Sequence, residues 1–159
     1  MIPIIGNTST NKGHMGNTTP VPLTNDAEWQ RLWFMLQGRR WSALAVVDAT
    51  SGADATEVAQ SLATIGARDG QALVQVIHAL GASFQDVPGL VKQIAEASEH
   101  DQKLVACAPV RSNPAMIPIL QATSGAVLVV RLGTATTAAV DAIVDAIGRD
   151  KVLASISIG

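Results

Sequence analysis

The sequence has no tyrosine, one cysteine, three tryptophans and two phenylalanines, and no long run of one charge or of apolar side chains. Each shortage excludes something. A single cysteine, Cys107, closes no internal disulfide, and its place after Leu104, Val105 and Ala106 reads as a buried thiol in a strand. Net charge is −2 with no basic cluster and no aromatic-basic interleaving, which argues against nucleic acid as a partner. No apolar stretch approaches the ~20 residues that span a bilayer, and the first residues lack the basic-then-apolar pattern of a secretory signal. The expectation is a cytoplasmic chain without direct membrane insertion. His14, His78 and His100 are far apart and have no cysteine or carboxylate at ligand spacing, so no metal site is expected. The Gly-x-Ser-x-Gly elbow of a hydrolase is also absent.

What is present is the material of one α/β domain. With 159 residues, 48% of them hydrophobic, the chain is long enough to bury a core. Residues 1–25, rich in Asn, Thr, Gly and Pro, read as a flexible N-terminal arm, and 26–159 as the folded domain. Asn25-Asp26 reads as a capping pair, followed by Trp29, Leu32, Trp33 and Leu36 at i, i+3, i+4, i+7, an amphipathic helix ending near Gly38. Beyond it, strands near 42–48, 72–78, 103–108, 126–131 and 152–158 alternate with helices near 55–67, 86–98, 113–122 and 135–148. Short apolar strands alternating with helices predict a doubly wound, mainly parallel sheet of about five strands with helices on both faces. A ligand of such a fold sits beyond the carboxyl ends of the strands, here Asp48–Ala53, His78–Gly81, Ala108–Arg111 and Arg131–Thr134. His78 at one strand end reads as a hydrogen-bonded structural histidine, with a polar rim residue of a small-molecule pocket as the alternative. Arg111, Arg131 and Arg149 read as solvated cations, with anion binding as the alternative, and the run Glu96 to Lys103 as a solvated helix end.

One stretch has the outline of a phosphate-binding element. In Val46 to Ala63, VVDATSGADATEVAQSLA, a strand runs through a small-residue turn into a helix, the layout in which helix N-terminal N–H groups hold phosphate. Near the end of the chain, Gly125-Ala-Val-Leu-Val-Val-Arg-Leu-Gly133 precedes a Thr-rich helix start, Ile147-Gly-Arg-Asp-Lys-Val-Leu153 and Ser155-Ile-Ser-Ile-Gly159. These segments, and the pattern across most of 26–159, resemble the P-loop domains of bacterial tyrosine kinases. Those are cytoplasmic ATPase-like domains of polysaccharide chain-length regulators, relatives of the MinD/ParA ATPases. The resemblance implies a P-loop-NTPase-like fold.

It also implies a loop stripped of its chemistry. The family's first loop ends Gly-Glu-Gly-Lys-Ser/Thr; here it reads Gly52, Ala53, Asp54, Ala55, Thr56, so the first glycine and the hydroxyl survive while the phosphate-binding lysine is Ala55. Asp54, at the second glycine, places a carboxylate where phosphate oxygens would lie. The two aspartates of the family's second motif correspond to Ile77 and Ala79, and the aspartate of its third to Ala106. Phosphoryl transfer rests on positioning and charge, a lysine on phosphates and carboxylates on metal, and all of those groups are replaced together. Active members phosphorylate a tyrosine cluster in their own tail, and this sequence has no tyrosine.

The expected function is therefore a pseudo-ATPase or pseudokinase domain without catalytic residues, cofactor or metal. It would act as an interaction or scaffolding subunit in bacterial exopolysaccharide or cellulose biosynthesis and secretion. Its expected partners are protein: a membrane polysaccharide-export or synthase component that recruits it to the inner membrane, and further copies of itself. Two alternatives stand beside this reading, a cleft repurposed for another small ligand and a regulatory nucleotide reader without hydrolysis. The family's first helix carries Glu-x-x-Arg-x-x-Arg, an assembly motif, of which Glu28 and Arg31 remain while the last arginine is Phe34. With Trp29 and Trp33 nearby, the expected interface is Glu28, Trp29, Arg31 and Phe34, with Trp33 in the core.

Overall fold

The computed structural model describes residues 4–5, 27–50, 53–70 and 73–158. Apart from Ile4 and Ile5, the expected arm, the Asn25-Asp26 cap and loop residue Gly52 lie outside the described residues. Helix α1 (Ala27–Gln37) leads into alternating strands and helices: β2 (Ala43–Asp48), α2 (Ala53–Asp69), β3 (Leu73–His78), α3 (Val87–Ala95), β4 (Asp101–Cys107), α4 (Met116–Ala122), β5 (Gly125–Arg131), α5 (Thr137–Ile147) and β6 (Val152–Ile158). A two-residue strand that the sequence reading did not anticipate, β1 (Ile4–Ile5), pairs with Ser155 and Ile156 of β6. The sheet order is β1-β6-β5-β2-β4-β3, and every pairing is parallel.

The central strands β2, β4 and β5 are buried on both faces because successive side chains alternate between two apolar layers. In β2, Leu44 and Val46 join Trp29, Leu32, Trp33 and Leu36 of α1 and Val58, Ala59 and Leu62 of α2. Ala43, Ala45 and Val47 face the other layer, with Ile94 of α3, Met116, Ile119 and Leu120 of α4, and Ile143 and Ile147 of α5. Trp33 meets Trp41 edge to face at 5.9 Å and 89°, a favoured arrangement for two aromatic quadrupoles. Under it, Gly66 is required by space: a Cβ there would stand 2.7 Å from Trp33 Cζ2 and 2.8 Å from Val74 Cγ2. Trp41 Nε1 donates to the Leu36 carbonyl at 3.1 Å, which also accepts from Arg39 N–H at 2.9 Å, so the indole ties the next segment to the end of α1. Thr136 caps α5 by accepting from Ala139 N–H.

From β2 the chain crosses to β3 at one edge, returns through β4, passes β2 and continues to β5 and β6. Strand order reverses at β2, so the crevice over its carboxyl end is where a ligand of such a fold binds.

Two elements end differently from the periodicity. Helix α3 stops at Ala95, where Glu96 N–H bonds back to Lys92 and Gln93 carbonyls. A turn between Ser98 and Asp101 follows, so Glu96 to Lys103 is not a solvated helix end: it leads into β4, and Lys103 is buried against Asp101 and Gln75. Helix α4 starts at Met116, after Pro109 to Ala115 wind through turns. No helix among the described residues is long and apolar enough to cross a membrane.

Candidate functional site

The rim over β2 is organised by a fully buried carboxylate. Asp48, last residue of the central strand, accepts from Thr50 N–H at 2.7 Å through Oδ1 and from Asp54 N–H at 3.1 Å through Oδ2. One of its bonds thus satisfies a free N–H in the first turn of α2, the kind of group that binds phosphate in a P-loop. An anion is already built into the place.

Asp54 supplies a second. Its carboxylate, 8% exposed, forms a fork-to-fork pair with Arg131 at the end of β5: Nε donates to Oδ2 at 3.0 Å and Nη2 to Oδ1 at 2.7 Å. Paired planar groups of this kind combine charge with two aligned hydrogen bonds. Asp54 therefore turns towards the guanidinium, and Arg131, expected as a solvated cation, is only 22% exposed at its side chain and locked across the rim. Sequence reading missed this pair because its members are 77 residues apart. The available signal was topological: a β5 neighbouring β2 brings the residue ending one strand next to the helix that follows the other.

The remaining positions carry no charge. Ala55, in the place of the lysine, has no exposure and packs into the α1/α2 layer. Thr56 is half-buried in α2. Ile77, Ala79 and Ala106, at the places of the aspartates, are buried apolar side chains, and Ala79 N–H bonds to the Ala106 carbonyl at 2.9 Å. His78 is exposed at the end of β3, opposite Ala106. The loops after β3 and β4 are clasped by Asn113, whose Nδ2 donates to the Leu80 and Ala82 carbonyls at 3.1 and 2.9 Å while Oδ1 accepts from Ala115 N–H. Cys107, just below this rim, is fully buried; burial pushes its thiol up to about 12. Among the described residues no three His, Cys, Asp or Glu side chains are grouped as a metal site.

The expected interface on α1 divides. Trp29 is buried at 4% exposure, correcting its assignment to the surface: it heads the same i, i+3, i+4, i+7 stripe as Leu32, Trp33 and Leu36, and that stripe faces the sheet. Its Nε1 and that of Trp33 are buried without a hydrogen-bond partner among the described residues. Trp33 is core, as expected. Phe34 points away from the stripe and is 64% exposed, next to exposed Arg31 and half-buried Glu28.

The chain matches no family model and no curated protein. Among solved structures it is similar to the kinase domain of Escherichia coli tyrosine kinase ETK, with a TM-score of 0.60 and 15% identity over 99% of this chain and 88% of that one. The fold is that of a P-loop NTPase-like kinase domain: an all-parallel sheet with helices on both faces.

Proposed function

We propose that this chain is a non-catalytic relative of the P-loop kinase fold, working through its surfaces. The observation that carries the reading is the Asp54–Arg131 pair set beside buried Asp48. In a working loop, an incoming phosphate needs free N–H groups, a cation and room. Here an N–H of the first helical turn is bound by one carboxylate, the nearby cation is bound by another, and the lysine position is a buried methyl. A phosphate placed there meets two negative groups that it must displace, and no carboxylates at the second and third motifs to hold magnesium.

The biological setting we propose is supported by the sequence resemblance and agrees with the fold likeness. ETK is a tyrosine kinase, and the sequence resemblance is to kinase domains of polysaccharide chain-length regulators, so a pseudokinase subunit fits a scaffolding role in exopolysaccharide or cellulose secretion. Its partner would be a membrane export or synthase component that draws it to the inner membrane. The contact face is the outer side of α1, where Phe34 stands exposed beside Glu28 and Arg31, neither of which has an ion-pair partner among the described residues.

A cellular replacement tests both parts. In the producing bacterium, Phe34→Ala should abolish polymer output at normal protein level, whereas Thr56→Ala, removing the last hydroxyl of the loop, should leave output unchanged. The opposite pattern, loss with Thr56→Ala and tolerance of Phe34→Ala, would mean that the loop still works on nucleotide.

A further inference from the structure

The two edges of the sheet are finished differently. On the β6 side, β1 lies along the edge. On the other side β3 is last in the order, and its sequence Leu-Val-Gln-Val-Ile-His carries no Lys, Pro or acidic residue. Natural edges are usually blunted by such residues or by a bulge, because open N–H and C=O groups template pairing with another chain. The register of β3 on β4 is continuous from Leu73 to His78, so no bulge blunts it either.

We propose that β3 pairs antiparallel with β3 of a second copy of this chain, about a two-fold axis at Gln75, joining two sheets into one. This surface is separate from α1 and goes beyond the function proposed above. The backbone fixes which residues are available. Leu73 and Ala79 donate their N–H groups to His100 and Ala106 carbonyls, so odd-numbered residues turn their backbone groups towards β4. Val74 and Val76 turn theirs outward. Antiparallel strands alternate hydrogen-bonded and non-hydrogen-bonded pairs, and a two-fold at Gln75 puts Val74 opposite Val76 of the second copy as a hydrogen-bonded pair. Leu73 then meets Ile77 of the second copy in a non-hydrogen-bonded pair, the type with the closer side chains.

Side chains fit the same register. Leu73 is 68% exposed, a large apolar group with nothing over it. Farther along the same face, Gln75 and Ile77 line an open cleft together with Lys103 of β4, Gln93 of α3 and Glu96 at its C-terminal cap. Pairing at Gln75 brings Leu73 of each copy into the cleft of the other. A one-residue shift of the axis to Val76 would instead set Gln75 against Ile77 and leave Leu73 beyond the strand. Charge is also complementary: Lys92 of α3 and Glu96 at its C-terminal cap are exposed one turn apart, without ion-pair partners among the described residues, and the two-fold sets two such helices antiparallel on the same side of the joined sheet.

Sedimentation velocity on the whole chain, with cysteine cross-linking, tests this. The unmodified protein should show a concentration-dependent dimer, and Leu73→Lys should weaken it roughly tenfold or more, since each dimer carries the change twice. Gln75→Cys should give a covalent dimer on mild oxidation, because Cα atoms of a non-hydrogen-bonded pair lie about 4.5 Å apart, within disulfide reach. Leu73→Cys should not, its two copies being roughly 13 Å apart in this register; native Cys107 is buried and stays out of the reaction. A chain that is monomeric at every concentration overturns the proposal. So does a dimer that survives Leu73→Lys but is lost with Phe34→Ala, or equal cross-linking at positions 73 and 75.

Discussion

The rim over β2 and the outer face of α1 treat their polar groups in opposite ways. At the rim, Asp48 accepts from two backbone N–H groups and Asp54 is paired with Arg131 through both oxygens. On α1, Glu28 and Arg31 have no ion-pair partner among the described residues and Phe34 is 64% exposed on the same helix. A fold under selection for nucleotide chemistry keeps its loop open and charged. Here the loop is closed by internal bonds and the unspent interaction capacity lies on a helix surface. On the function proposed above, this contrast puts the working surface away from the strand ends.

The largest expected effect sharpens where α1 stops being a surface. Trp33→Ala should cost about 4 kcal/mol and Trp29→Ala about 3 kcal/mol in chemical denaturation, because each empties space in the α1/α2 layer. Trp29→Ala with unchanged stability and lost association would return that residue to the interface and undo the division of the helix. Next is the rim. Arg131→Ala leaves the Asp54 carboxylate, 8% exposed, without its partner and should cost about 2 kcal/mol; the double change Asp54→Ala with Arg131→Ala should cost less than the sum. Additive losses would mean that the pair is no latch.

A smaller effect comes from pH. Burial raises the Cys107 thiol from 9.0 to about 12 in the folded chain. Between those values the native state holds a proton that the unfolded state has released, so stability is fully present below pH about 9 and falls as pH rises. The slope attributable to this group is at most about 1.4 kcal/mol per pH unit. Denaturant midpoints at pH 8 to 10 should show Cys107→Ala with a flatter decline than the unmodified chain; identical declines would contradict burial of the thiol. Smallest of all is Phe34→Ala, expected within about 0.5 kcal/mol of unmodified stability, as for a solvated side chain. A loss of several kcal/mol would show that this face is already covered within the chain.

How far the sequence could be read depended on the range of the interaction involved. The five long strands and the helices between them were legible because apolar runs and 3.6-residue stripes are local, and so was the burial of Trp33. Trp29 was misplaced although its spacing put it at the head of the stripe, because an assembly motif was given more weight than periodicity. The Asp54–Arg131 pair and the Asn113 clasp were not legible, since each joins segments that only the strand order brings together. The charged run suggests a solvated helix end for Lys103; the turn at Ser98 to Asp101 instead threads it into β4, next to the edge strand, beside Gln75. At the candidate site, the uncharged residues at positions 55, 77, 79 and 106 could be read from the sequence. The Asp54–Arg131 pair beside them could not.

Calorimetric titration of the chain with ATP, with and without magnesium, bears most directly on the central claim. With a carboxylate on the N–H of Asp54, a guanidinium committed to the Asp54 side chain and a buried methyl at Ala55, no saturable heat is expected at millimolar nucleotide, and Ala55→Lys alone should not restore binding or turnover. Micromolar, magnesium-dependent affinity, or ATP hydrolysis that disappears with Thr56→Ala, would contradict the account and return the rim to service as a nucleotide site.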